Sequence, residues 1–288
     1  MIFMMKSNSG RYADYFRSIV IAGMAFLLAG TASAAPWFQD DLEWNSISEA
    51  ISSGPWTTRD GDVSISTDFA ASGSKSLKVC YGGVEAQSYL SLDMPGVVFG
   101  NHNGKTHIFL RWKELRPTNY DWAGEKLNRI VGHFANEYVT LDYPMVWWAD
   151  GYQGTAGTNG PGVIQLFGNS QYSNGANHIS TTYAIPRNTW VTFELELKLN
   201  DMGQSNGESR LWIDDVLKAQ VTGTVFRYPQ NPAFTMDRIW MGGWWSPAGG
   251  PGPSPGPACR YIDDVSVSDT RSGSNTSVAA PNPPSGIL

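Results

Sequence analysis

Residues 189–199 read TWVTFELELKL, and this stretch decides the fold class. Val191, Phe193, Leu195, Leu197 and Leu199 fall on one side of an alternation; Thr192, Glu194, Glu196 and Lys198 fall on the other. A period of two marks a strand with one face in a core. Residues 200–207 (NDMGQSNG) are turn-rich, and residues 210–216 (RLWIDDV) read as the returning strand, so a hairpin is expected here. Outward from it, residues 107–113 (HIFLRWK) alternate as well, with Ile108, Leu110 and Trp112 against His107, Phe109, Arg111 and Lys113. Residues 74–81, 238–245 and 260–268 read as further strands. Short strands separated by Gly/Pro turns, with no long helical period, predict an all-β protein: a two-sheet β-sandwich or jelly roll.

Composition narrows the function classes. The 288 residues are 41% hydrophobic and 12% aromatic, enough to fill a core, which excludes a disordered chain. Only 16% are charged, and 31 Gly and 17 Pro interrupt the chain, which excludes a helical bundle or coiled coil. The net charge of −6 speaks against a general nucleic-acid binder, which should be basic. Twelve Trp offer flat apolar faces that pack in cores and also stack on sugars.

The ends read differently from the middle. Residues 1–34 have the pattern of a secretory signal peptide: Lys6, Arg11 and Arg17, an apolar run at 19–28, then Ala32-Ser33-Ala34. That apolar run is too short to span a membrane, and no membrane association is expected after cleavage. Residues 36–270 are expected to form one β domain and 271–288 a disordered Pro/Ser-rich tail. The protein is then secreted or periplasmic, and a monomer is expected. Cys80 and Cys259 both lie in the exported part, where two cysteines most simply form one disulfide. Such a bridge would set a strand near the start of the domain beside one near its end.

Three stretches resemble a known group of proteins. Trp112-Lys113 followed by Tyr120-Asp121-Trp122-Ala123-Gly124-Glu125-Lys126-Leu127 is similar to the DW-GGKL segment of concanavalin A-like jelly-roll polysaccharide lyases of the alginate and glucuronan lyase type. Residues 190–214 resemble the W-x3-E-x3-KLN hairpin of the same group, which ends in WID. Residues 261–267 (YIDDVSV) resemble the closing strand of many carbohydrate-binding jelly rolls. The resemblance implies a concave sheet that holds an acidic polysaccharide, with β-elimination at a uronate. Glu125 and Asn128 depart from it, standing where the motif has its second Gly and a Pro.

β-Elimination needs a cation or amide on the uronate carboxylate, a base for the α proton and an acid for the leaving oxygen. Lys126 matches the motif lysine, so the resemblance implies a role in carboxylate contact or as base. Arg111, Lys113, Arg116, Lys126 and Arg129 fall within 19 residues, and with Glu114, Asp121 and Glu125 the local charge is +2. The cluster suits an anionic chain; it would equally suit a basic edge strand that blocks aggregation. Arg111 is taken as catalytic with Lys126, and Lys113 and Arg129 as substrate-binding. His133 and His178 are candidate bases. Tyr143 is the candidate acid, with Tyr172 and Tyr183 as equivalents. Gln165 is a candidate for hydrogen bonding substrate. Of the aromatic pairs Trp147-Trp148 and Trp244-Trp245, Trp148, Trp244 and Trp245 are taken as sugar contacts.

Two alternatives stay open. Glu194 and Glu196, two apart on one strand, lie about 7 Å apart and could be the carboxylate pair of a glycoside hydrolase. They could equally be a polar face countered by Lys198. A non-catalytic carbohydrate-binding module would have the same fold. Catalysis calls for no cofactor. A structural calcium would fit where the acids of the first strand (Asp40, Asp41 and Glu43) meet those of the last (Asp263 and Asp264), with Asp41, Glu43 and Asp264 as ligands; the same acids would equally suit solvated strand ends.

Overall fold

The computed structural model describes residues 35–81, 86–93, 104–118, 120, 125–126, 128–134, 137–139, 146–148, 163–168, 177–227, 235–245 and 258–273. Residues 1–34, expected to be a signal peptide, Tyr143, Tyr172 and most of the expected tail (274–288) lie outside them. The described residues are mostly strand: β1 (Phe38–Asp40), β2 (Thr58–Asp60), β3 (Asp62–Ser66), β4 (Ser76–Tyr81), β5 (Ala86–Asp93), β6 (His107–Leu115), β7 (Glu125–Lys126), β8 (Arg129–Phe134) and β9 (Glu137–Val139). There follow β10 (Val146–Trp148), β11 (Val163–Gly168), β12 (Asn177–Ala184), β13 (Val191–Lys198), β14 (Gly207–Ile213), β15 (Val216–Thr224), β16 (Thr235–Trp245) and β17 (Ala258–Ser268). Among the described residues there is one short helix, α1 (Ile47–Ser52), capped by Ser46, whose Oγ accepts from the Glu49 amide.

The strands form two antiparallel sheets, a β-sandwich jelly roll. The eight-stranded sheet runs β15-β14-β13-β6-β17-β4-β3, with β1 joined to β17. The nine-stranded sheet runs β12-β11-β10-β7-β16-β5-β2, with β8 paired to β16 and β9 to β8. The core lies between them. Ile108, Leu110 and Trp112 of β6 and Phe193, Leu195 and Leu197 of β13 come from one sheet; Leu90 of β5 and Ile239 and Met241 of β16 come from the other. All nine are fully buried, and Trp112 stacks on Phe193 at 5.2 Å.

The hairpin β13–β14 has the expected pairing, Lys198 opposite Glu208 and Phe193 opposite Ile213. Its second strand ends earlier than the sequence suggests. Asp214 and Asp215 have φ of 48° and 64° and form the turn into β15. Both central residues at positive φ match the right-handed twist of a two-residue hairpin, and Asp tolerates that conformation.

Cys80 and Cys259 stand directly opposite on β4 and β17 and form a disulfide. The last strand meets the first as well: Asp40 of β1 pairs with Val265 of β17. The start of the expected tail is not loose. The Ser272 amide donates to Glu194 Oε1 at 2.7 Å, and Arg271 lies over the Trp212 ring at 4.6 Å. A side chain on Gly273 would collide with Asp215, Arg271 and Glu194, so the chain is held against the eight-stranded sheet through 273.

Candidate functional site

The five bases that cluster in sequence are spread over three places. β6 and β7 belong to different sheets, so proximity along the chain does not survive folding. Arg111 and Lys113 lie on the face of the eight-stranded sheet turned away from the core. There Arg111 Nη1 donates to Glu194 at 3.1 Å and to Asp215 at 2.8 Å. Lys113 pairs with Asp264 at 2.7 Å. Arg111 therefore does not converge with Lys126.

Glu194 and Glu196 share that outer face, and both are buried beneath basic donors. Glu194 accepts from Arg111 and from the Ser272 amide, and Arg271 Nε lies 3.2 Å from it. Glu196 accepts from His107 Nε2 at 2.8 Å and Arg210 Nη1 at 2.6 Å. Burial pushes the Glu196 carboxyl up, but its bonds to His107 and Arg210 outweigh that and hold it below the usual range. A glycosidase acid needs the opposite shift.

Arg116 is inside the protein. It is fully buried with Arg260, Glu114 and Asn128. Glu114 Oε1 accepts from Arg116 Nε at 2.8 Å; Glu114 Oε2 accepts from Arg260 Nη1 at 2.6 Å and Trp112 Nε1 at 3.1 Å. Burial raises the Glu114 carboxyl, but the charges of Arg260 and Arg116 prevail and keep it ionised. Asn128 Oδ1 accepts from Arg260 Nη2 at 3.3 Å and from the Gly242 amide at 2.8 Å. This interior cluster joins β6 and β17 of one sheet to β16 of the other.

The nine-stranded sheet carries the remaining bases. Residues directly opposite in an antiparallel pair lie on the same face. Lys126 stands opposite both Trp147 and Trp244, Trp147 stands opposite Gln165, and Gln165 stands opposite Ser180. Trp244 also stands opposite Gln87. These positions form one row across six strands, about 24 Å long. Core-facing Leu90 and Met241 are opposite each other on β5 and β16, so alternation puts Gln87 and Trp244 on the other face. The same rule places Arg129 (opposite Trp240), His133 (opposite Thr235) and His178 (opposite Phe167) on that outer face. Trp148 and Trp245 both stand opposite Glu125 and fall on the core side, so of the two aromatic pairs it is Trp147 and Trp244 that share a face with Lys126.

No protein-family model and no curated protein matches the chain. Solved structures do. An endo-β-1,4-glucuronan lyase from the fungus Trichoderma reesei is 14% identical over 82% of this chain and 96% of its own, with a TM-score of 0.55. The PL-14 alginate lyase of Aplysia kurodai is 12% identical over 81% and 99%, with a TM-score of 0.57. The alginate lyase vAL-1 from Chlorella virus is 14% identical over 75% and 93%, with a TM-score of 0.53. The chain has the jelly-roll fold of the polysaccharide lyases.

The acids expected to hold calcium do not gather into a metal site among the described residues. Among the described residues no three of His, Cys, Asp and Glu are placed to hold a metal ion. Glu43 accepts from the amides of Ser74 (2.7 Å) and Lys75 (2.8 Å), Asp264 takes Lys113 and the Ser72 hydroxyl, and Asp41 is exposed. Asp263 accepts from the Ala71 and Ser72 amides; burial nevertheless raises its carboxyl. Tyr183 lies 5.1 Å from Lys218 and packs on the core, and burial, then Asp214, pushes its hydroxyl up.

The jelly roll also holds a feature that the sequence did not announce. Tyr89 and Trp240, on the outer face of β5 and β16, stack at 4.3 Å with planes 8° apart. Trp240 is buried and Tyr89 half-buried. Their sequence separation hides the pair; only the register of β5 on β16 brings them together.

Proposed function

We propose that the protein is a secreted polysaccharide lyase that cleaves a uronate-containing polymer of the alginate or glucuronan type by β-elimination. One observation carries the reading: Lys126, Arg129, His133, Gln165, His178 and Trp244 occupy positions on a single face of the nine-stranded sheet. They come from β7, β8, β11, β12 and β16. Such a face suits a long anionic chain, with bases for carboxylates and aromatic rings for sugar faces. The fold supports the same reading, since its solved neighbours include a glucuronan lyase and alginate lyases, and a variant of the alginate lyase Aly36B was solved with an alginate trisaccharide. The disulfide fits an oxidising, extracytoplasmic compartment.

In this mechanism Lys126 and Arg129 neutralise the uronate carboxylate, which acidifies the proton α to it. His133 or His178 removes that proton, and a carbon–carbon double bond forms as the glycosidic carbon–oxygen bond breaks. Tyr143 protonates the departing oxygen. Gln165 and Trp244 hold the neighbouring sugars. The test is ultraviolet absorbance of the mature protein mixed with alginate, glucuronan, pectate or a glycosaminoglycan. The unsaturated uronate product absorbs where the substrate does not. A steady rise on at least one uronate polymer is expected. A flat trace on all of them, with retention on one in affinity electrophoresis, would replace the lyase with a binding module.

A further inference from the structure

Lys126 and Arg129 are three residues apart, and in an unbroken strand residues three apart lie on opposite faces. Here both positions fall on the same face. The register shows how: Lys126 is opposite Trp244 and Arg129 opposite Trp240, so partners three apart in sequence stand opposite residues four apart on β16. This one-residue offset between the two stretches has the effect of a β-bulge, which re-aims side chains. Gly242 sits in its middle with φ of 133°, and a Cβ there would collide with the backbone of Ser88 and Tyr89. Opposite it, Asn128, which precedes β8, is fully buried. Its Oδ1 takes the Gly242 amide (2.8 Å) and Arg260 Nη2 (3.3 Å), and Arg260 is in turn held by Glu114.

We infer that Asn128 is a positioning residue: by anchoring the chain at the start of β8 inward on Gly242 and Arg260, it places Lys126 and Arg129 together on the outer face. Both donors need an acceptor, which sets the amide orientation, while Asn128 Nδ2 finds no partner among the described residues. An aspartate keeps both acceptor contacts; a leucine of similar size keeps neither.

The inference rests on the lyase reading for its kinetic half, so the test has two readouts. Asn128→Leu should speed hydrogen exchange at the Gly242 amide and over residues 125–130. It should also lower kcat/KM on the cleaved polymer about 100-fold, the scale expected for a misplacement near 1 Å, with a raised KM. Loss of folded protein alone would lower kcat and leave KM unmoved. Asn128→Asp should restore wild-type KM and protection. If Asn128→Leu does not fold, Asn128→Gln displaces this anchor by one methylene and should move both readouts in the same direction. Wild-type exchange and KM in the Leu or Gln variant would overturn the inference, as would an Asp variant as impaired as Leu. A wild-type protein that cleaves no polymer removes the lyase reading; the exchange readout then decides the anchoring by itself, and unchanged protection at Gly242 overturns it.

Discussion

Replacing Glu114 with alanine should destabilise the protein by about 3–5 kcal/mol, the cost of taking one partner from a buried ion pair. Glu114 is the carboxylate that both interior arginines contact, and all three side chains are at most 1% exposed. Desolvating two guanidinium groups is costly, and the substitution removes the negative charge that offsets it. Arg260 would keep its 3.3 Å contact with Asn128, a neutral amide, which is a weaker partner than the lost carboxylate. Urea unfolding of the two proteins measures the difference. A loss below about 1 kcal/mol would mean that the arginines are held by something other than Glu114.

Removing the disulfide should have an effect of similar size. Cys80 and Cys259 are 179 residues apart in sequence, so their bond closes most of the domain into one loop. The chain-entropy relation gives about 5 kcal/mol for a loop of that length, and measured losses run at roughly 2–5 kcal/mol. The bond also joins β4 to β17, the strand that carries Arg260 and pairs with both β1 and β6. Thermal unfolding of the Cys80→Ser, Cys259→Ser protein should show a melting temperature lower by about 10 °C. An unchanged melting temperature would mean that strand pairing alone fixes these strands.

The sheets were legible where alternation is strict. β6 and β13 show it plainly because each buries one face against a core of Trp112, Phe193 and aliphatic side chains. The turn at Asp214-Asp215 was not legible, since the apolar run at 211–213 resumes at Val216 and positive φ at both aspartates marks the break. The basic cluster misled for a topological reason. Five bases within 19 residues straddle the crossing from β6 to β7, which sends Arg111 and Lys113 to one sheet and Lys126 and Arg129 to the other. Arg116 read as a surface base, yet it is interior because Glu114, two residues earlier, is buried with it. The sequence offers Asp41, Glu43 and Asp264 as calcium ligands, on the ground that the first and last strands are neighbours. The strands do meet, but backbone amides and Lys113 take the carboxylates. The Trp pairs were half legible: adjacent strand residues point to opposite faces, and only register decides which of each pair faces outward.

The most direct measurement compares two variants in the ultraviolet assay on the polymer that the wild type cleaves. Lys126→Ala, on the outer face of the nine-stranded sheet, should lower the rate of absorbance rise by 10²–10⁴-fold, roughly the contribution of a proton-transfer or charge-stabilising group. Arg111→Ala, on the other sheet and bonded to Glu194 and Asp215, should leave kcat and KM within about threefold of wild type while lowering the melting temperature. An inactive Arg111→Ala protein that remains folded, beside a fully active Lys126→Ala, would put the site on the eight-stranded sheet and contradict the account.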